Sequence, residues 1–336
     1  MFPEPSFGRF DSAAVDSQRA VARIGGVRTL VAITATVLVA VTLPASARAG
    51  GVPVQLAVTG HLLWAVSDSG LSAFDTRTQR RVVVRPTTPY PYATRLAASS
   101  GSVWVASIAN GYISGAVSRI DARTQRAKTM LRLAHQPVWD LCAGGGLIWA
   151  LYGPSTNTRL ARFGPAAHPH FIALHTRTNW CAADKSGVWI TTADGRLLHV
   201  DPRADAVATV AHIPAAVTLA AGGGSVWVRA GTHVVRYDES SHRVQSIATG
   251  STVDTMAIGP ARIWVLTTNR RGQTTLLRLN PITGRIQARQ RLAGSPTDVH
   301  ESDARVWLGG LDARRTPTLW TIEPHTLKQR RIASLA

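Results

Sequence analysis

Seven of the ten tryptophans sit inside a short apolar run, and the runs recur at nearly even intervals. They read Leu63-Trp64-Ala65, Val103-Trp104-Val105, Ile148-Trp149-Ala150, Val188-Trp189-Ile190, Val226-Trp227-Val228, Ile263-Trp264-Val265 and Val306-Trp307-Leu308. Their spacings are 40, 45, 40, 38, 37 and 43 residues. Self-similarity at that period restricts a chain to repeat architectures, in which each unit buries its apolar faces only against its neighbours. No helix-length amphipathic run separates the copies. Each interval instead holds four short β-rich segments broken by Gly, Asp, Asn or Pro. Four strands per repeat of about 40–45 residues predicts an all-β fold, a seven-bladed β-propeller with four antiparallel strands in each blade.

Upstream of each Trp the copies align without gaps. Seven residues before it stand Ala57, Ala97, Cys142, Ala182, Ala220, Ala257 and His300. Eight before it stand Leu56, Leu96, Leu141, Cys181, Leu219, Met256 and Val299. Adjacent strand residues face opposite sides of a sheet. Each inner strand therefore offers a small residue to one neighbouring blade and a larger apolar one to the other, which suits close packing of facing sheets. The seven tryptophans are expected in the core, each removing about 150–250 Å² from water. A recurring turn, seen as Asp75-Thr76-Arg77-Thr78-Gln79-Arg80 and Asp121-Ala122-Arg123-Thr124-Gln125-Arg126, links the third and fourth strands. Later copies run Asp201-Pro202, Asp238-Glu239-Ser240, Asn280-Pro281-Ile282-Thr283-Gly284-Arg285 and Glu323-Pro324. Asp and Asn accept local backbone hydrogen bonds, Pro presets φ and Gly allows positive φ. No copy supplies alternating carboxylates, which argues against a calcium loop.

This periodicity divides 50–336 into blades near 52–90, 91–134, 135–175, 176–213, 214–249, 250–293 and 294–336. Each blade is contiguous chain, with no overlap strand evident. Ring closure is expected to rest on packing between the first and seventh blades.

Residues 1–49 stand apart. Arg19, Arg23 and Arg28 precede an uncharged apolar run from Thr29 to Leu43, followed by Pro44-Ala45-Ser46-Ala47-Arg48-Ala49. That order predicts a secretory signal cleaved after Ala49. The alternative is an uncleaved anchor, because the uncharged stretch 29–47 is nearly long enough to span a bilayer, which needs about 20 residues. Either places the repeats outside the cytoplasm. The net charge is +18, with lysine only at Lys128, Lys185 and Lys328. Such an arginine excess fits an anionic partner or GC-rich codon usage. It is spread through all repeats without a basic block, so nucleic acid is not an expected partner.

The run Gly101-Ser102-Val103-Trp104-Val105-Ala106, followed by Val117-Ser118-Arg119-Ile120-Asp121, resembles the bacterial propellers grouped with virginiamycin B lyase and the YVTN-repeat proteins. The resemblance covers all seven repeats, roughly 52–335. It implies the propeller fold and, for the lyases, an acidic residue shortly after the Trp. Here the equivalent runs are Trp64-Ala65-Val66-Ser67, Trp104-Val105-Ala106-Ser107 and Trp189-Ile190-Thr191-Thr192.

Propeller ligands commonly bind at the mouth of the central channel, near the start of the inner strands. Nine residues before each Trp stand Gln55, Arg95, Asp140, Trp180, Thr218, Thr255 and Asp298, and one step earlier Val54, Thr94, Trp139, Asn179, Val217, Asp254 and Thr297. These columns vary strongly over a uniform scaffold, as a ligand site or a solvated rim would. Arg95, Trp139, Asp140, Trp180, Asp254 and Asp298 are the candidate ligand-binding residues. Blade seven departs most, with Asp298, His300 and Glu301 close in sequence, but strand alternation turns His300 and Glu301 apart. No catalytic set, zinc motif or P-loop is present, so neither a metal nor a cofactor is expected. His168 and His170 read as solvated turn residues. Cys142 and Cys181 occupy inner strands of neighbouring blades at opposite parity, which predicts a disulfide across the gap, favoured in an oxidising compartment. Two buried free thiols are the alternative.

Three functions remain open at this stage. The first is an exported module binding a protein, glycan or other cell-envelope ligand at one channel end. The second is a lyase-like enzyme using channel-mouth acids and bases. The third is a polyanion binder acting through surface arginines.

Overall fold

A computed structural model describes residues 54–335 except 68–69, 83–87, 91, 100, 110–113 and 165–167. The expected leader or anchor at 1–49 lies outside the described residues. Seven four-stranded antiparallel sheets follow one another along the chain, each with its strands in sequence order. The inner strands are Gln55–Thr59, Tyr92–Ser99, Val138–Gly144, Thr178–Ala183, Ala216–Gly222, Thr252–Ile258 and Ser295–Ser302. Each packs beside the next, and the last packs beside the first, which closes a ring. The chain is therefore an all-β, seven-bladed propeller. No helix occurs among the described residues.

The strand register explains the small-residue column. Each Trp lies directly opposite it: Ala57 pairs with Trp64, Ala97 with Trp104, Cys142 with Trp149, Ala220 with Trp227 and Ala257 with Trp264. Cross-strand partners share a face, so a small residue makes room for the indole beside it. All seven tryptophans are at most 4% exposed. Each points at the following blade, and the core divides into seven apolar clusters, one per joint. Trp227, for example, packs with Val253, Met256, Ile263 and Val265 of the next sheet. Trp104 meets Phe163 of its neighbour at 5.3 Å between ring centroids.

Opposite the tryptophans on the third strands stand Arg119, Arg162, Arg236 and Arg278. Three of them bridge to the next blade. Arg236 Nη1 donates to the Ile282 carbonyl at 2.7 Å, and Arg278 Nη1 to the Pro324 carbonyl at 2.8 Å. Arg162 Nη1 donates to the Pro202 carbonyl and reaches Asp205 Oδ1 at 2.6 Å. The receiving carbonyls belong to the recurring turns, so one motif reads the next. Part of the arginine excess thus serves as inter-blade clamps. Another part, including Arg132, Arg289, Arg291, Arg330 and Arg331, is exposed on the outer strands. Charge there discourages edge-to-edge pairing of sheets.

The turns follow their expected chemistry. Asp75 Oδ1 accepts from the amides of Arg77 at 3.0 Å and Thr78 at 2.6 Å. Asp121 and Asn280 repeat the pattern. The fifth residue adopts the left-handed region in six copies: Gln79, Gln125, Asp205, His242, Gly284 and Leu327.

Closure uses no exchanged strand among the described residues. Val54, Leu56, Leu63 and Phe74 of blade one pack on Trp307, Leu319 and Leu335 of blade seven. Two residues after the Trp, other blades carry Val66, Ala106, Leu151, Thr191, Arg229 and Leu266, whereas blade seven has Gly309. A Cβ at Gly309 would fall 2.5 Å from Val54 Cγ1. The bare backbone lets the two ends of the chain approach.

Candidate functional site

Near their start, six of the inner strands carry a bulge. In blade two Ala93 pairs with Ser107 and Arg95 with Ala106, leaving Thr94 unpaired. Trp139, Asp254 and Thr297 are skipped in the same way. Two residues on one strand then oppose one on its partner, which bends the strand and re-aims side chains. Simple alternation therefore fails at the channel end, where the candidate residues lie.

Three of the six candidates come into contact, and a fourth, Asp298, lies within electrostatic reach of them. Arg95 Nε stands 3.3 Å from Asp140 Oδ1. The guanidinium carbon lies 4.3 Å from the centroid of the Trp180 ring, a cation–π contact. Asp298 acts on Arg95 electrostatically. Gln55, in the same column but outside the candidate set, joins them. With its amide oriented to match its neighbours, its oxygen accepts from Arg95 Nη1 at 2.8 Å and its nitrogen donates to the Thr94 carbonyl at 3.2 Å. Blades one, two, three, four and seven thus contribute to one cluster around a half-buried arginine.

The aspartates also hold blades together. Asp140 Oδ2 accepts from the Cys181 amide at 2.8 Å. Asp298 Oδ2 accepts from the Leu56 amide at 2.7 Å. Each carboxylate thereby tethers the inner strand of the next blade, Asp298 across the closure seam. Burial raises the Asp140 carboxyl to about 6 despite Arg95, and Asp298 to about 7.

The other two candidates stand elsewhere. Trp139 is 40% exposed and its indole donates to the Gly153 carbonyl at 2.7 Å. Asp254 Oδ2 accepts from the Thr268 hydroxyl at 2.6 Å, with Arg229 nearby. Burial raises the Asp254 carboxyl and lowers the Arg229 guanidinium. Arg229 Nε and Thr218 Oγ1 are buried without a hydrogen-bond partner among the described residues. Arg229 was legible as the one charge in a column of small and apolar residues.

Blade seven holds no convergent acid–base set. His300 lies opposite Trp307, and burial lowers it to about 4. Glu301 turns to blade six, where Oε2 accepts from Trp264 Nε1 at 2.6 Å. Asp298 points instead to blade one. No group of three or more potential metal ligands occurs among the described residues. His168 is exposed as expected, whereas His170 Nε2 pairs with Asp205 Oδ2 of the next blade at 2.8 Å.

Cys142 and Cys181 form a disulfide between blades three and four, with Cα atoms 5.9 Å apart. Cys142 lies on the Trp149 face and Cys181 on the facing side of the next sheet. The adjoining strand ends nearly touch. A Cβ at Gly144 would fall 2.3 Å from the Ala183 carbonyl carbon.

The tether at Asp298 has a pH signature. Its carboxyl is raised from 3.8 to about 7, so between those values the folded chain holds a proton that the unfolded chain has released. Stability from this group is full below about 4 and is lost as the pH rises through about 7. His300 acts oppositely: its contribution is present above 6.5 and is lost as the pH falls through about 4. Asp298→Asn keeps an acceptor for Leu56 and cannot ionise. From about pH 4 to about pH 7 the wild type should lose stability relative to this variant, with little further change above that. Parallel melting curves across that window would contradict the shifted carboxyl.

No protein-family model and no curated protein sequence matches the chain. Solved propellers do. The β-propeller domain of the Trilobed protease from Pyrococcus furiosus, described as having an open velcro topology, superposes with a TM-score of 0.64 at 10% identity, covering 84% of this chain and 95% of that one. A chain of a mitotic checkpoint complex gives 0.59 at 11%, covering 84% and 91%. The dihydro-heme d1 dehydrogenase NirN gives 0.58 at 14%, covering 83% of this chain but only 66% of that one, just under two thirds of its length. At these identities the likeness establishes the fold alone.

Proposed function

We propose that this chain is an extracytoplasmic binding module, whose channel end around Arg95, Asp140, Trp180 and Asp298 takes a protein or glycan of the cell envelope. The observation that carries the reading is the cluster itself. Four blades bring an amide, a guanidinium, a carboxylate and an indole into contact, and the Asp298 carboxylate of a fifth lies within electrostatic reach. Such a mix can hydrogen-bond a polar ligand and present an apolar face to it. In this reading residues 1–49 export the domain 50–336, either as a leader cleaved after Ala49 or as an anchor through 29–47. No cofactor is involved.

A lyase-like activity, as in the virginiamycin B lyase group, draws its support from Asp298, whose carboxyl sits near neutrality, where general acids and bases work best. Against it, both Asp298 oxygens accept main-chain amides, from Leu56 at 2.7 Å and Val299 at 2.9 Å. The carboxylate is engaged as a tether.

The test is capture of solubilised cell envelopes on the immobilised domain, with protease-treated and glycosidase-treated samples in parallel. Trp180→Ala should release the captured material while the fold persists. Retention of the same material by wild type and Trp180→Ala would defeat the proposal. Turnover of a lyase substrate abolished by Asp298→Asn would favour the enzyme instead.

A further inference from the structure

A second concavity lies at the outer part of blade three, assembled from elements apart from the channel cluster. It has a volume of about 440 Å³ and is lined by residues from three stretches of chain. Leu133 ends the outer strand of blade two, and Gln136 lies in the link to blade three. Tyr152, Asn157 and Arg159 flank the loop between the second and third strands. Phe171, Ala173 and His175 face it from the outer strand. The volume falls in the range of small-molecule sites.

The chemistry of the lining is selective. Phe171 is 50% exposed, and its ring meets Tyr152 at 5.9 Å between centroids, edge to face. The exposed ring is not closed over by the chain, so it offers an apolar floor. Around it stand the amides of Gln136 and Asn157, the His175 imidazole and the Arg159 guanidinium, which lies beside the Tyr152 hydroxyl. Among the described residues no aspartate or glutamate lines the cavity, so none of them places a carboxylate there to neutralise the Arg159 charge. Arginine matches a carboxylate with two parallel hydrogen bonds.

We infer that this cavity binds an acidic sugar, a pyranose carrying a carboxylate. Its carboxylate pairs with Arg159, its less polar ring face lies on Phe171, and its hydroxyls meet Gln136, Asn157 and His175. An aromatic acid would satisfy Arg159 and Phe171 but offer no hydroxyl to either amide, so it would gain none of those hydrogen bonds. Asn157, Arg159, Phe171 and His175 are all exposed, so the cavity is open. That shape admits a sugar whose neighbours in a polysaccharide remain in solvent. The site shares no residue with the channel cluster, so the two readings stand or fall separately.

Titration calorimetry of the folded wild-type domain with glucuronate, glucose and benzoate tests the inference. Glucuronate should bind at millimolar concentrations or better, and at least about tenfold more tightly than either comparison compound, since the charged hydrogen bonds and the hydroxyl contacts are each lost in one of them. Arg159→Gln and Phe171→Ala should each weaken glucuronate by about tenfold or more with melting temperatures near wild type. Both positions are exposed, so misfolding is not expected to mask the result. Trp180→Ala should leave glucuronate binding intact. No glucuronate binding by the folded domain, equal binding by Arg159→Gln, or tighter binding of benzoate would each overturn the assignment.

Discussion

Trp227→Ala should destabilise the domain by about 3–5 kcal/mol, the usual cost of emptying a large aromatic site. Trp227 is 1% exposed and fills the joint between blades five and six against Val253, Met256, Ile263 and Val265. Across the strand pair lies only Ala220, which cannot swing into the vacated volume. Collapse would need the two sheets to approach, and the ring fixes their separation through six further joints. Arg236, whose guanidinium carbon lies 5.9 Å from the indole centroid, would lose its platform as well. Trp180 gives the contrast. It is half-buried beside Arg95, so Trp180→Ala should cost clearly less stability and remove ligand binding instead. Chemical denaturation of the two variants checks the division. Equal losses would contradict it.

Breaking the Cys142–Cys181 bond should cost about 3–4 kcal/mol, because the bond closes a 39-residue separation and restricts the unfolded chain. The paired variant Cys142→Ala with Cys181→Ala, unfolded beside the oxidised wild type, measures this. The joint carries other fastenings, since the Asp140 carboxylate holds the Cys181 amide and the strands already approach closely at Gly144. The variant should therefore fold to the same ring at lower stability. A free-thiol count of two on the unfolded, unreduced protein would show that the bond does not form.

The Trp column was readable because it depends on local alternation, and the facing joints reuse the same pattern seven times. The cysteines were readable in part: opposite parity in adjacent blades turns them either toward or away from each other, and the handedness of the ring, which no residue pattern carries, decides that they meet. Alternation also hid the channel end. The bulges that skip Thr94, Trp139, Asp254 and Thr297 have no residue signature, so Asp254 and Trp139 were grouped with a cluster they do not join. The tethering role of Asp140 and Asp298 depends on which amide the next blade presents, a relation between strands some forty or more residues apart. Arg236-Tyr237-Asp238 and Arg278-Leu279-Asn280 did carry a signal, an arginine two residues before each turn, but the overall arginine excess obscured it. The cavity at Phe171 joins three separated stretches, and nothing local in any of them marks it.

Hydroxyl-radical footprinting of the domain with and without its captured envelope ligand tests the channel-end reading most directly. Protection should concentrate on Trp180 beside Arg95, with Trp139, Val244 and Ile282, exposed at 40%, 52% and 76%, reacting as in the free protein. Protection spread along the outer strands near Arg289, Arg291, Arg330 and Arg331, with Trp180 unchanged, would contradict it.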